Sequence, residues 1–169
     1  VRAHGGGLPE EEEAIGRRQL LQAFTRYQAA GRHADASRTA SHLSRATYEE
    51  SQFDDALAIA KQAVAEAGRS GNSRVRVQAE QALAWVYDNL GMEEEARDHF
   101  ARIIELSRAW PEALARAYFS FALFLLDLGK LESALQHLDD ASNQVALSLN
   151  SGLSGVEDLV LAIPLNRAD

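Results

Sequence analysis

Three short stretches decide the fold: Ser51-Gln-Phe-Asp-Asp-Ala56, Gly91-Met-Glu-Glu-Glu-Ala96 and Gly129-Lys-Leu-Glu-Ser-Ala134. Each opens on a residue that ends helices, passes through acidic positions and closes on an alanine. The alanines stand 40 and 38 residues apart. Upstream, Leu43-Ser44, Leu83-Ala84 and Phe121-Ala122 fall in one register, with Thr47, Tyr87 and Leu125 at the next inward turn. Downstream, Ala60, Phe100 and Leu138 correspond, then Ala63, Ile103 and Ala141. A helix, a tight turn and a second helix, written three times, is the mark of a helical solenoid.

Working outward, Ala, Leu, Glu, Arg and Gln dominate between the breakers, and β-branched residues never alternate over a strand's length. The apolar spacing predicts helices at about 10–30, 34–50, 53–68, 74–90, 93–108, 111–128 and 131–149, with a short one near 155–163. Pro111 suits a first helical position, where its missing N–H costs nothing. Gly91 and Gly129 can take the left-handed conformation that closes a helix. Ser154 with Glu157 is a capping-box pair, and Pro164 is expected to stop the last helix. The reading is therefore all-α. Residues 1–9 form a leader and 10–149 a repeat domain, with units at about 37–70, 74–108 and 111–149. Residues 150–169 form a capping helix and tail.

Composition narrows the function classes. The 169 residues are 46% hydrophobic and 25% charged, which suits a folded chain. Cysteine is absent, which removes disulfides, thiol nucleophiles and cysteine zinc sites and fits a cytoplasmic location. A net charge of −8 opposes a duplex phosphate backbone, so no nucleic acid is expected on this segment. No apolar run approaches the ~20 residues of a membrane span. The chain opens on Val1 and its single Met is Met92, so it reads as a segment of a longer polypeptide.

The middle unit, Leu83-Ala84-Trp-Val-Tyr87 followed by Gly91, Ala96, Phe100 and Ile103, resembles a tetratricopeptide repeat (TPR). The likeness covers about residues 37–149. Its period is near 40 rather than about 34, which is similar to the repeats of bacterial signalling and transcription regulators. The resemblance implies a right-handed α–α superhelix of three hairpins with a leading helix and a C-terminal cap. It also implies a protein- or peptide-binding scaffold module without catalysis, cofactor or metal. A different class of role is a sensor or dimerisation arm that relays a signal to an output domain elsewhere, with a homodimer left open.

The chemical motifs are few. His4-Gly-Gly-Gly7 matches the oxyanion loop of lipases, but no Gly-x-Ser-x-Gly elbow follows, so it reads as leader. His99 and His137 occupy equivalent repeat positions, which packing explains without a metal. Glu10-Glu-Glu-Glu13 suits the start of a helix. What remains is a groove. In the resembled family the first helix of each unit lines the concave face. By register, that implies partner-binding positions Arg38, Arg45 and Tyr48, then Gln81, Trp85, Asp88 and Asn89, then Arg116, Phe119 and Leu123. Trp85 lies two residues before the seam residue Tyr87, about 200° around the helix, and so faces the concave side. Arg45 should approach it from the preceding unit and Arg116 from the following one. The competing reading is that the aromatics pack on neighbouring helices while Arg and Gln are solvated.

Overall fold

The computed structural model describes residues 9–150, 152 and 156–165. His4-Gly-Gly-Gly7, the leader up to residue 8 and the Ser154 half of the capping pair lie outside the described residues. Those described form eight α-helices and no strand. They are α1 (Pro9–Ala29), α2 (His33–Glu49), α3 (Phe53–Ser70), α4 (Ser73–Asn89), α5 (Glu93–Ser107), α6 (Pro111–Asp127), α7 (Leu131–Asn150) and α8 (Glu157–Leu165). Pro164 does not end α8 at residue 163. So near the end, a proline costs one N–H bond and crowds one carbonyl four residues back but interrupts no further turn, and the helix runs on to Leu165.

The ends of α1, α2, α3, α4, α6 and α7 follow one rule, while α5 closes on Arg108 in the right-handed region. Gly31, Gly71, Gly91, Gly129 and Gly152 all have φ between 65° and 68°, and Ser51 has φ 62°. At Ser51 the two orphan carbonyls of α2 are capped in turn: Ser51 N–H donates to Tyr48 O and Gln52 N–H to Thr47 O. Gly129 and Lys130 repeat the arrangement on Leu126 O and Leu125 O. This is the glycine-type C-cap, with a serine accepting the strain in one case. Asn72 caps the start of α4 by accepting from the N–H groups of Arg74 and Val75.

The chain divides into two compact units, residues 1–91 and 92–169. The border falls inside the middle repeat read from the sequence. In the first unit α2 packs against α1, α3 and α4, and α3 also packs on α4. Each helix thus touches its chain neighbours, and α2 touches the helix after next, a helical-repeat layout. Phe24 of α1, Ala36, Ala40 and Leu43 of α2, Ala63 and Ala67 of α3, and Val75 and Ala79 of α4 make one buried cluster. Alanine recurs there because a methyl group lets helix axes approach closely.

In the second unit α6 pairs with α7, α5 packs on α6, and α8 rests on both α6 and α7. Phe100, Phe121 and Phe124 stack with ring centres 5.0–6.1 Å apart. His137, also set against Phe121 at 4.8 Å, is a packing residue whose imidazole burial pushes toward the neutral form against the charge of Asp140. His99 is likewise buried. Val156, just before α8, and Leu159 and Ile163 on it fill the surface made by Ala115, Ala122, Leu138, Ala141 and Val145.

Two outcomes test this account. Ser51→Gly should raise the unfolding free energy by up to about 1 kcal/mol, while Gly71→Ala should lower it by roughly 1 kcal/mol. A methyl on Gly71 would meet nothing within 4 Å, so the sign rests on backbone conformation alone. Thermal melts with shifts in the same direction would sink the left-handed-cap argument. Separately, truncating the chain after residue 150 should cost at least ~2 kcal/mol, because the seats of three apolar side chains are uncovered. The truncated chain should self-associate in size-exclusion chromatography. A monomer with the parent's melting curve would contradict the role given to α8.

Candidate functional site

A concavity of the first unit lies between α2 and α4. It is an open cleft of about 440 Å³, lined by Arg38, Ser41, His42, Ser44 and Arg45 of α2 and by Gln78, Gln81, Ala82 and Trp85 of α4. The sequence explains the alignment. Arg38, His42 and Arg45 are spaced i, i+4, i+7, and Gln78, Gln81/Ala82 and Trp85 repeat that spacing, so each set forms a stripe along one helix face.

Trp85 is the fixed point. Its ring meets Tyr48 edge-on at 5.0 Å, and Tyr48 in turn tilts against Phe53 at 4.9 Å. The Tyr48 hydroxyl donates to the backbone carbonyl of Asn89 at 3.0 Å, pinning α2 to the end of α4. The Arg45 guanidinium lies 5.1 Å from the Trp85 ring centre. Such a stack is worth ~0.5–1 kcal/mol at an exposed site. Arg45 also pairs with Glu49 at 3.2 Å and Arg38 with Asp35 at 3.4 Å, each within its own helix and open to solvent. Exposed pairs of this kind hold a side chain only loosely.

The register-based positions divide. Arg38, Arg45, Gln81 and Trp85 line the cleft. Tyr48 does not; its ring packs against Trp85. Asn89 spends its side-chain amide on the Trp85 carbonyl at 2.8 Å, one turn back, instead of presenting it to the cleft. Asp88 is half-buried and is not part of the lining. In the second unit Arg116 is committed to α8 by two hydrogen bonds to Asp158, 2.9 and 2.8 Å long. Those bonds hold the Asp158 carboxyl below the usual carboxylate range. Phe119 packs against the cluster that α8 completes, and Leu123 is half-buried. Arg116 and Phe119 thus both make contacts within the chain, to Asp158 and to the cluster completed by α8.

Sequence reasoning also passed over two features. His42 lines the cleft, and its position one turn from both arginines was the available signal. The second is Glu66, only 2% exposed on α3. Its carboxylate accepts from Gln28 Nε2 of α1 at 2.9 Å, contacts His33 Nδ1 of α2 at 2.7 Å and pairs with Arg69 at 2.7 Å. Burial pushes this acid up, but the bonds from Gln28 and His33 and the charge of Arg69 win, leaving it below its ordinary value of 4.5. Three helices thus meet on one satisfied charge. Among the described residues no group of three or more His, Asp or Glu side chains could hold a metal ion.

Fold and cleft together define a helical-repeat protein with an open, cationic and aromatic concavity in its first unit. No protein-family model matches the sequence, and no curated protein matches it either. Among solved structures, the crystal structure of BtubC (BKLC) from P. vanneervenii is similar, with a TM-score of 0.68 at 18% identity. The match covers 82% of this chain and 57% of BtubC, so the chain spans little more than half that protein's length. At that identity the likeness concerns the fold alone.

The Glu66 cluster makes a pH prediction. Because the folded acid is stronger than the unfolded one, its stabilisation is complete above 4.5 and is lost as pH falls through the lower folded value. Glu66→Gln should cost about 1–3 kcal/mol at pH 7 and flatten the acid side of the stability curve. Urea titrations between pH 3 and 7 that show parallel curves for both proteins would refute it.

Proposed function

We propose that this chain is a peptide- or protein-recognition module of the tetratricopeptide type, a right-handed superhelix working in the cytoplasm without catalysis of its own. The observation that carries this is the α2–α4 cleft. It sets two arginines and two glutamines around a half-buried Trp85 that Tyr48 and Phe53 hold in place. A rigid aromatic floor beside charge-assisted donors suits an extended segment carrying acidic and apolar side chains. Its acids would bond the guanidinium groups, and an apolar residue would cover Trp85 and Ala82. The structural likeness to BtubC, at a TM-score of 0.68, supports the helical-repeat architecture.

A second role, an assembly or relay arm, draws on the second unit. Leu131, Leu147, Leu149 and Val160 are each about half exposed there. An arm of that kind would bury at least ~1,000 Å² against a second copy.

Panning a random peptide display library on the immobilised chain tests the first role. Recovered peptides should be enriched in Asp and Glu around an apolar residue. Arg45→Ala and Trp85→Ala should each weaken them by about 1–2 kcal/mol while circular dichroism stays unchanged. Peptides that bind all three proteins equally would move the interface away from the cleft.

A further inference from the structure

Resting on that reading of the cleft, we infer that its preferred occupant is a phosphorylated segment: a phosphoserine or phosphothreonine over the Arg38–His42–Arg45 stripe of α2, with an apolar neighbour on Trp85. Along the axis His42 stands about 6 Å from Arg38 and about 4.5 Å from Arg45. A guanidinium on its three-carbon stem covers such a distance, so both can converge above the imidazole. Gln78 and Gln81 face them from α4, and Ser41 stands between.

The donor inventory exceeds what the chain's own carboxylates use. No carboxylate lines the cleft, although the chain carries a net charge of −8. The side chains of His42, Gln78 and Gln81 have no hydrogen-bond partner among the described residues. The chain itself shows what one carboxylate takes up. Arg116, which occupies the register position of Arg38 in the third repeat, bonds both oxygens of Asp158, with backbone N–H groups of Asp158 and Leu159 beside it. Buried Glu66 takes one arginine, one imidazole and one amide. The cleft offers a second arginine and a second amide beyond that set. A phosphate monoester brings nearly two charges and three acceptor oxygens, which matches this surplus. It would displace Asp35 and Glu49, whose exposed pairs at 3.4 and 3.2 Å are weak competitors. Those same carboxylates sit beside the arginines, and with the net charge they disfavour an anionic bilayer as the phosphate's source.

An oriented heptapeptide library with a fixed central residue, degenerate elsewhere, tests this on the full chain. Three versions carry phosphoserine, glutamate or serine at the centre. The phosphoserine pool should be retained at least tenfold better than the glutamate pool, and the serine pool least. Retention should collapse in Arg38→Ala and Arg45→Ala, whose side chains are exposed and whose circular dichroism should match the parent's. Equal retention of the phosphoserine and glutamate pools would overturn the phosphate inference while leaving an acidic-segment site standing. Retention of both pools unchanged by the two variants, or of neither, would remove the cleft reading as well. Binding to phosphatidylserine vesicles in preference to the phosphoserine pool would also overturn the proposal in favour of a membrane surface.

Discussion

The close approach of helices at alanine is the constraint on which the rest depends. Ala56, Ala60 and Ala63 on α3, Ala36 and Ala40 on α2, and Ala134 and Ala141 on α7 are all wholly buried. Alanine is both the best helix former and the residue that keeps neighbouring axes nearest. One choice therefore satisfies local propensity and tertiary packing together. Its cost is a thin apolar seam, since a methyl buries little area. Larger residues such as Phe24, Leu43, Val75 and Leu138 supply the missing contact where the seams widen.

Thin seams leave polar groups inside, and the molecule settles each locally. Ser37 donates to the Ala63 carbonyl and Thr47 to the Leu43 carbonyl. Glu66 is the extreme case, a charge kept in the interior by Gln28, His33 and Arg69. A buried carboxylate is tolerable when every oxygen is matched, and its partners come from α1, α2 and its own α3. It thereby fixes how three helices meet, which alanine seams alone specify weakly.

The same economy separates the two ends of the arginine register. At Arg116 the facing helix supplies Asp158 and the guanidinium is consumed. At Arg38 the facing helix supplies Gln78, a neutral amide, and the guanidinium falls back on a solvent-exposed neighbour. One facing residue decides whether a repeat surface is closed by its own chain or left open. The aromatic trio of Tyr48, Phe53 and Trp85 then gives the open surface a rigid floor.

Much of this was legible in the sequence. Helix spacing, the turns at Gly91 and Gly129 and the three recurring alanines determined eight helices whose ends fall within two residues of those observed. They did so because propensity, capping and periodicity are local properties. The stripe of Arg38, Arg45, Gln81 and Trp85 was also readable, since residues one turn apart on a helix share a face. Tertiary structure alone decided which members of the register were free. Asn89 and Tyr48 are taken by backbone carbonyls, Arg116 by Asp158 some 42 positions on, and Glu66 by a glutamine 38 positions back. Periodicity places a side chain on a face, but its partner belongs to another helix, and only packing brings that helix within hydrogen-bonding distance.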